Sequence, residues 1–177
     1  MKKKIKEIYK KSNLCCIYYD EDDTDAFIIG WVVAIDPKFF IIECVTPKGY
    51  HNGIACRLLD SVIKIETNNK YIESILKLWK INNQERFDIS MQEKVCLTSL
   101  MNFIIENERV CFIEICNSAN LDAVGYMKKF DNEKLLVEHI SDCGEFDGEE
   151  DICIKRISAV TFGNEEQVRL EKLNKML

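Results

Sequence analysis

The sequence lacks a long apolar run. No stretch approaches the roughly 18 apolar residues that a membrane-spanning helix requires. The first residues, MKKKIKEIYKK, also lack the apolar segment that follows the lysines of a secretion signal. The sequence therefore predicts a cytoplasmic protein that does not enter the membrane.

The sequence also lacks an excess of positive charge. Its formal net charge is −6, whereas non-specific nucleic-acid binding relies on lysine and arginine to neutralise phosphates. The charge is uneven, since residues 1–80 carry a net +2 and residues 81–177 a net −8. Only the first half can offer a basic face, so RNA binding is disfavoured but stays an alternative.

Complete motifs for catalysis or for metal binding are missing as well. Cys44, His51 and Cys56 fall close together, and His139 precedes Cys143, yet neither Cys-x-x-Cys nor His-x3-His spacing occurs. The acidic run DEDDTD lacks the glycine and the distal glutamate of an EF-hand loop. We expect no metal, no cofactor and no enzymatic activity.

The nine cysteines do not indicate a disulfide framework, because their number is odd and the chain is not short. Five of them lie inside apolar segments, which predicts reduced thiols packed in a core. They are Cys15, Cys16, Cys44, Cys111 and Cys153.

The most informative feature of the sequence is an internal repeat. Shifting the chain by 95 positions aligns GWVVAIDPKFFIIECVTPKGYHNG with GYMKKFDNEKLLVEHISDCGEFDG without a gap. The same shift pairs Cys16 with Cys111 upstream and Asn69 with Asn164 downstream. We interpret the chain as two copies, 1–82 and 96–177, joined by a connection at 83–95. Five positions are identical in the two aligned segments. They are Gly30, Asp36, Glu43, Gly49 and Gly53 in the first copy and Gly125, Asp131, Glu138, Gly144 and Gly148 in the second.

Each copy is predicted to contain a helix, five short strands and a second helix. In the second copy Ser90 and Glu93 form a capping-box signature, which predicts a helix beginning near 91. Alternating apolar runs and turn residues predict the strands. The expected strands are 14–19, 27–36, 39–45, 54–58 and 62–66 in the first copy, and 110–115, 123–131, 134–140, 151–155 and 157–162 in the second.

The repeated polar residues have structural interpretations. Asp36 and Asp131 are placed to cap a tight turn, and Gly30 and Gly125 to permit a strand to bend. Glu43 and its counterpart are expected to face solvent. A matched acidic pair is the alternative for these glutamates, although nothing fixes a separation. The aromatic side chains of the strands are expected in the core rather than on a stacking platform.

The run GYMKKFDNEKLLVEHIS resembles the first motif of the Sm-like fold, and CRLLDSVIKIE resembles the second. The resemblance implies an α+β, mainly β chain with two tandem Sm-like or SH3-like five-stranded barrels, as in bacterial two-barrel families that carry no assigned activity. The residues of the family's RNA pocket are not matched, since Pro37 follows Asp36 and Leu58 follows Arg57.

We therefore expect a non-enzymatic binding or scaffolding protein that acts through exposed barrel edges, with a protein partner or with further copies of itself. One alternative is an RNA-binding regulator. Another is an enzyme or small-ligand binder that uses a cleft between the barrels. The residues available for RNA contact are Lys2, Lys3, Lys4, Lys6, Arg57 and Lys64.

Overall fold

A computed structural model of the chain describes residues 1–19, 26–87, 96–116 and 122–177. The chain divides into two compact units, Met1–Cys96 and Leu97–Leu177. The described residues form ten strands and four α-helices, so the protein is mainly β with flanking helices, as predicted. No helix in these ranges is long and apolar enough to cross a membrane.

Both units run from a helix through five strands to a second helix. The first unit contains α1 (Lys2–Lys11), β1 (Leu14–Tyr18), β2 (Phe27–Ile35), β3 (Phe39–Val45), β4 (His51–Leu58), β5 (Lys64–Glu66) and α2 (Lys70–Ile81). The second contains α3 (Cys96–Glu106), β6 (Val110–Ile115), β7 (Ala123–Phe130), β8 (Lys134–Ile140), β9 (Phe146–Cys153), β10 (Ile157–Phe162) and α4 (Glu165–Asn174). Helix α3 begins at Cys96, the last residue of the first unit, and a 3-10 turn precedes both β5 and β10.

Local chemistry sets the start of the closing helices. The Asn69 side chain accepts a hydrogen bond from the Ile72 N–H and caps α2. The Asn164 side chain accepts the Gln167 N–H and caps α4. The Gln167 side chain in turn accepts the Asn164 N–H, which completes a capping box. The internal repeat aligns these two asparagines, and each is the N-cap residue of its helix.

Within each unit, the strand pairs formed by the described residues are antiparallel. The strand order is β5-β1-β2-β3-β4 in the first unit and β10-β6-β7-β8-β9 in the second. In the described residues of each unit, the first and last strands of that order are not hydrogen-bonded to each other. The predicted strands are present, but the closed barrel is not shown.

The first unit has a core on both faces of its sheet. One buried cluster takes residues from α1 and from every strand, including Ile5, Cys15, Phe40 and Ile65. The other packs α2 against the opposite face and includes Trp31, Ile75 and Trp79. Since consecutive residues of a strand point to opposite faces, Cys15 and its neighbour Cys16 contribute to different clusters.

The two units share a register, with one correction to the gapless alignment. Gly30 pairs with Cys44 as Gly125 pairs with His139, which agrees with the shift of 95. Cys15, however, lies opposite Gly30, while Cys111 lies opposite Gly125. The alignment of Cys16 with Cys111 was therefore wrong. The segment between the first two strands is one residue shorter in the second unit, so the leading helix and first strand follow a shift of 96.

Several predictions concern residues outside the described ranges. The helix start near 91 and the capping box at 90–93 belong to 88–95, and the acidic turn 20–25 and most of the turn 116–122 are also outside. The fourth strands are longer than predicted, since they begin at His51 and Phe146.

Candidate functional site

Asp36 and Asp131 hold equivalent turns. Asp36 Oδ1 accepts the N–H groups of Lys38 and Phe39, both at 2.7 Å. Asp131 Oδ1 accepts those of Glu133 and Lys134 at 2.7 and 2.8 Å. These backbone hydrogen bonds are the main cause of the lowered pKa of Asp131. This is the contact expected of an aspartate that caps a turn.

Gly30 and Gly125 allow neighbouring strands to approach closely. A Cβ atom on Gly30 would overlap the carbonyl oxygen of Glu43 and lie 2.8 Å from Ile42 Cγ1. On Gly125 it would overlap the carbonyl oxygen of Glu138 and lie 2.9 Å from His139 Cα. The glycines are therefore needed for backbone contact between the second and third strands of each unit.

The loop after the third strand packs on the closing helix in both units. Gly49 has φ +77° and Gly144 has φ +82°, and a Cβ would meet Leu78 and Leu173 respectively at 2.5 and 2.7 Å. The Asn174 side chain of α4 also donates to the Gly144 carbonyl at 2.8 Å. These glycines bring the loop against the helix, which forms one wall of the site described next. Gly53 and Gly148 also have positive φ, at +77° and +98°.

The expectation that Glu43 faces solvent is wrong. Its side chain is fully buried. Its carboxylate pairs with Arg86 Nε and accepts the Phe87 N–H at 2.7 Å, while His51 Nε2 lies 3.9 Å away. Since a buried carboxylate needs hydrogen bonds and a counter-charge, the segment after α2 folds back onto the sheet.

Aromatic side chains complete this site. The Arg86 guanidinium lies 4.5 Å from the centroid of the Trp31 ring, a cation–π contact. Trp31 in turn contacts Trp79 of α2 edge-on at 4.9 Å. Arg86 Nη1 also donates to Ser12 Oγ at 3.4 Å. In the first unit a guanidinium therefore contacts a buried carboxylate, an aromatic face and a hydroxyl, while the Arg86 side chain stays 37% exposed.

The corresponding place in the second unit is an open cavity of about 380 Å³. Its lining includes Glu108, Tyr126, Lys128, Glu138 and Asn174. Tyr126 pairs with Glu138 across β7 and β8, as Trp31 pairs with Glu43 across β2 and β3. The repeated glutamates therefore mark one location in each unit, filled in the first and open in the second.

The cavity has mixed charge. Lys128 Nζ lies 3.3 Å from Glu138 Oε2, and the Tyr126 hydroxyl donates to Asn174 Oδ1 at 3.2 Å. Burial raises the pKa of Tyr126, and the nearby carboxylates of Glu171, Glu108 and Glu138 raise it further. Tyr126 therefore lies near carboxylates that can accept from a cationic ligand, while Lys128 and Lys175 also line the cavity.

The candidate RNA-contact lysines are partly brought together. Lys2, Lys3, Lys4 and Lys6 are exposed on α1. Lys4 Nζ donates to the Ile65 carbonyl at 2.6 Å, so α1 approaches the strand that carries Lys64. Lys2, however, pairs with Asp60 at 3.0 Å, and Lys64 pairs with Glu66 at 2.5 Å.

Arg57 is not part of that group. It is only 8% exposed, and its guanidinium carbon lies 3.8 Å from the centroid of the Tyr19 ring. The contact is intramolecular, so Arg57 is placed for packing rather than for a phosphate.

The cysteines are all free thiols, and six of them are buried. Burial raises the pKa of Cys15, Cys44 and Cys111 to about 12. Cys153 is exposed, so its assignment to the core was wrong. Among the described residues no three His, Cys, Asp or Glu side chains are grouped to hold a metal ion.

Sequence reasoning missed Arg86 and the aromatic partners. Trp31 was correctly expected in the core, but its role beneath a guanidinium was not foreseen, and half-buried Tyr126 lines a cavity. One signal was available in the sequence. An aromatic residue, Trp31 or Tyr126, follows the first glycine of each aligned segment, and a glutamate lies twelve residues after that aromatic residue.

The fold and the site define a mainly β protein with a paired aromatic–glutamate position in each unit. No family model matches the chain, and no curated protein does. Among solved structures it is similar to YcgR from Escherichia coli in complex with c-di-GMP, with 8% identity over 98% of this chain and 86% of that one and a TM-score of 0.19. It is also similar to MrkH from K. pneumonia in its apo state, with 10% identity over 99% and 91% and a TM-score of 0.21. Scores this low support no conclusion about fold or ligand.

Proposed function

We propose that the chain is a non-enzymatic binding protein built from two copies of a Sm-like or SH3-like small barrel, and that it binds an extended, basic segment of a protein partner along strand β9. The proposal retains the cytoplasmic location predicted from the sequence. The first unit's buried cluster supports a curled sheet, because it draws on all five strands. The shared register of the two units supports a common module.

The acidic edge of β9 is the observation that carries the proposal. In the described residues of its unit, β9 pairs only with β8. It spans eight residues, most of them exposed, with Asp147, Glu149, Glu150 and Asp151 among them. An edge strand presents backbone donors and acceptors to which another strand can be added.

The backbone direction along β9 follows from its register. The Ile154 N–H donates to the Glu133 carbonyl at 2.9 Å, so this pair is a hydrogen-bonded one. Since hydrogen-bonded and non-hydrogen-bonded pairs alternate in an antiparallel ladder, the backbone groups of Glu149, Asp151 and Cys153 point away from β8. These groups are the ones that an added strand would contact.

The acidic side chains select the kind of strand. A second copy of β9 would place like charges opposite one another, which is destabilising. A strand that carries lysine or arginine would instead gain opposite-charge pairs. RNA is disfavoured as the ligand of this edge, because its phosphates carry the same sign of charge as the β9 carboxylates.

The test uses the full chain and a labelled eight-residue peptide that alternates valine and lysine. We expect saturable binding by fluorescence anisotropy that weakens with salt. Asp151→Pro removes an outward N–H without removing a β8 hydrogen bond, and should weaken binding at least tenfold more than Asp151→Ala. Equal binding by the two variants, or equal binding of a glutamate-substituted peptide, would refute the proposal.

A further inference from the structure

The first unit shows what its aromatic–glutamate site accommodates. Arg86 reaches it from the segment that follows α2 and pairs with Glu43 through Nε. Its guanidinium stacks on Trp31 at 4.5 Å and contacts Ser12 Oγ at 3.4 Å. The occupant is therefore an arginine side chain held by three kinds of partner.

The second unit has a residue at the position of each of these partners. Glu138 and Tyr126 take the positions of Glu43 and Trp31 in the paired strands. Ser12 directly follows the last residue of α1 and has φ 49°, and Glu108, two residues after the last residue of α3, has φ 47°. A second carboxylate therefore stands where the first unit has the hydroxyl. No residue in the described part of the second unit fills the place of Arg86, and the volume is open.

From these equivalences we propose that the cavity of the second unit binds the arginine side chain of a partner segment, with Glu138 and Glu108 as carboxylate acceptors and the Tyr126 ring as the stacking surface. This rests on the proposed function, since it supposes that the chain binds a protein partner. It names the chemistry recognised at a position distinct from the β9 edge.

The geometry favours arginine over lysine. A guanidinium is planar, stacks on an aromatic face and donates to two acceptors at once, whereas an ammonium is a compact and strongly hydrated charge. The cavity offers one ring and two carboxylates. Its volume of about 380 Å³ also falls within the range of about 300–1,000 Å³ that is typical of ligand sites.

Two lysines, Lys128 and Lys175, line the cavity, and Lys128 competes directly with an arginine because it pairs with Glu138. Its side chain is 48% exposed, so solvent can receive it when an arginine enters. Removing this lysine should therefore strengthen arginine binding. An acceptor site for an anion would show the opposite dependence, so Lys128 separates the two possibilities.

The experiment titrates the ¹⁵N-labelled full chain with the acetylated and amidated peptide NNQERF, which copies residues 82–87. Since Arg86 occupies the first unit's site, the peptide reports on the second. We expect saturable shifts of amides around Tyr126 and Glu138, with a Kd of roughly 0.1–1 mM. A peptide with citrulline in place of arginine should bind at least tenfold more weakly.

Two variants and one control complete the design. Glu138→Gln should weaken binding about tenfold, and Lys128→Met should strengthen it about threefold. Glu165→Gln, in the first turn of α4, removes the same charge from an exposed position outside the cavity lining and should change binding less than twofold. Equal affinity of the citrulline peptide, weaker binding by Lys128→Met, or equal effects of the two glutamine variants would overturn the inference.

The outcomes also separate this inference from the proposed function. Loss of the arginine signal, with the valine–lysine peptide still bound along β9, would refute the cavity assignment alone. Binding of the arginine peptide without edge binding would leave the cavity assignment in place and refute the β9 proposal.

Discussion

Replacing Gly125 by alanine tests the close contact between β7 and β8. The new Cβ would overlap the Glu138 carbonyl oxygen and lie 2.8 Å from its carbon, whereas carbon atoms normally approach to about 3.5–4.0 Å. The strands must therefore separate by about 1 Å at this point.

The cost can be worked from its parts. Weakening about two ladder hydrogen bonds costs about 1 kcal/mol each, and overpacking adds about 1–3 kcal/mol. Alanine recovers about 0.4–1 kcal/mol, because it restricts the unfolded chain. We expect a net loss of about 2–5 kcal/mol of unfolding free energy, which corresponds to about 1–2.5 M in the urea midpoint at a slope of about 2 kcal/mol/M.

Urea denaturation followed by far-UV circular dichroism measures the effect. Gly148→Ala is the control, because a Cβ there meets nothing within 4 Å and only the positive φ opposes it; it should cost about 1 kcal/mol. Gly30→Ala should reproduce the larger loss in the first unit, where tryptophan fluorescence reports directly, since both tryptophans lie there. If Gly125→Ala is no more destabilising than Gly148→Ala, the contact between β7 and β8 does not require a glycine at position 125.

Three further predictions concern charges and thiols. Arg86→Ala leaves the buried carboxylate of Glu43 without its counter-ion and should lower the unfolding free energy by about 2–4 kcal/mol. Arg169→Ala removes an exposed pair with Glu166 and should lower the unfolding free energy far less. Equal urea midpoints for the two variants would contradict the importance of burial. Because the pKa of Asp131 is lowered in the folded state, the stability that wild type holds over Asp131→Ala should be complete above about pH 4 and decline as the pH falls through the folded pKa; a difference that persists unchanged at pH 2 in acid titrations would contradict this assignment. At pH 8 a thiol reagent such as DTNB should react fast with the exposed Cys143 and Cys153 and more slowly with half-buried Cys116, and the six buried thiols should react only after unfolding; more than three reactive thiols in the native protein would show that the core is more accessible than described.

Much of the fold could be predicted because its signals are local. Asp36 and Asp131 fix turns with hydrogen bonds to residues two and three positions away, and Asn69 and Asn164 cap helices in the same way. The loop length before β7 could not be predicted from the glycines, because the one-residue difference lies upstream of the aligned block. The exposure of Cys153 was missed because an apolar neighbour such as Ile152 does not reveal which face of an edge strand meets solvent.

Only the glutamates of the candidate site could be found from the sequence, because its other contacts join residues that are far apart in the chain. The sequence showed that Glu43 and Glu138 recur, but a glutamate within an apolar strand is compatible with burial or exposure until its counter-ion is known. Arg86 lies 43 residues from Glu43, and no local pattern links them. Glu171, which accepts from Arg109 Nε at 2.7 Å over a separation of 62 residues, was missed likewise.

Short-range sterics and hydrogen bonds dictate the helix–strand order, the turns and the paired positions of glycine, aspartate and glutamate, so these features can be predicted from the sequence. The three-dimensional packing was needed to show that Glu43 is buried against an arginine and that Glu138 borders an open cavity. The difference in burial between the two glutamates depends on which distant segment packs over the sheet, because that packing sets the free energy of desolvating a carboxylate.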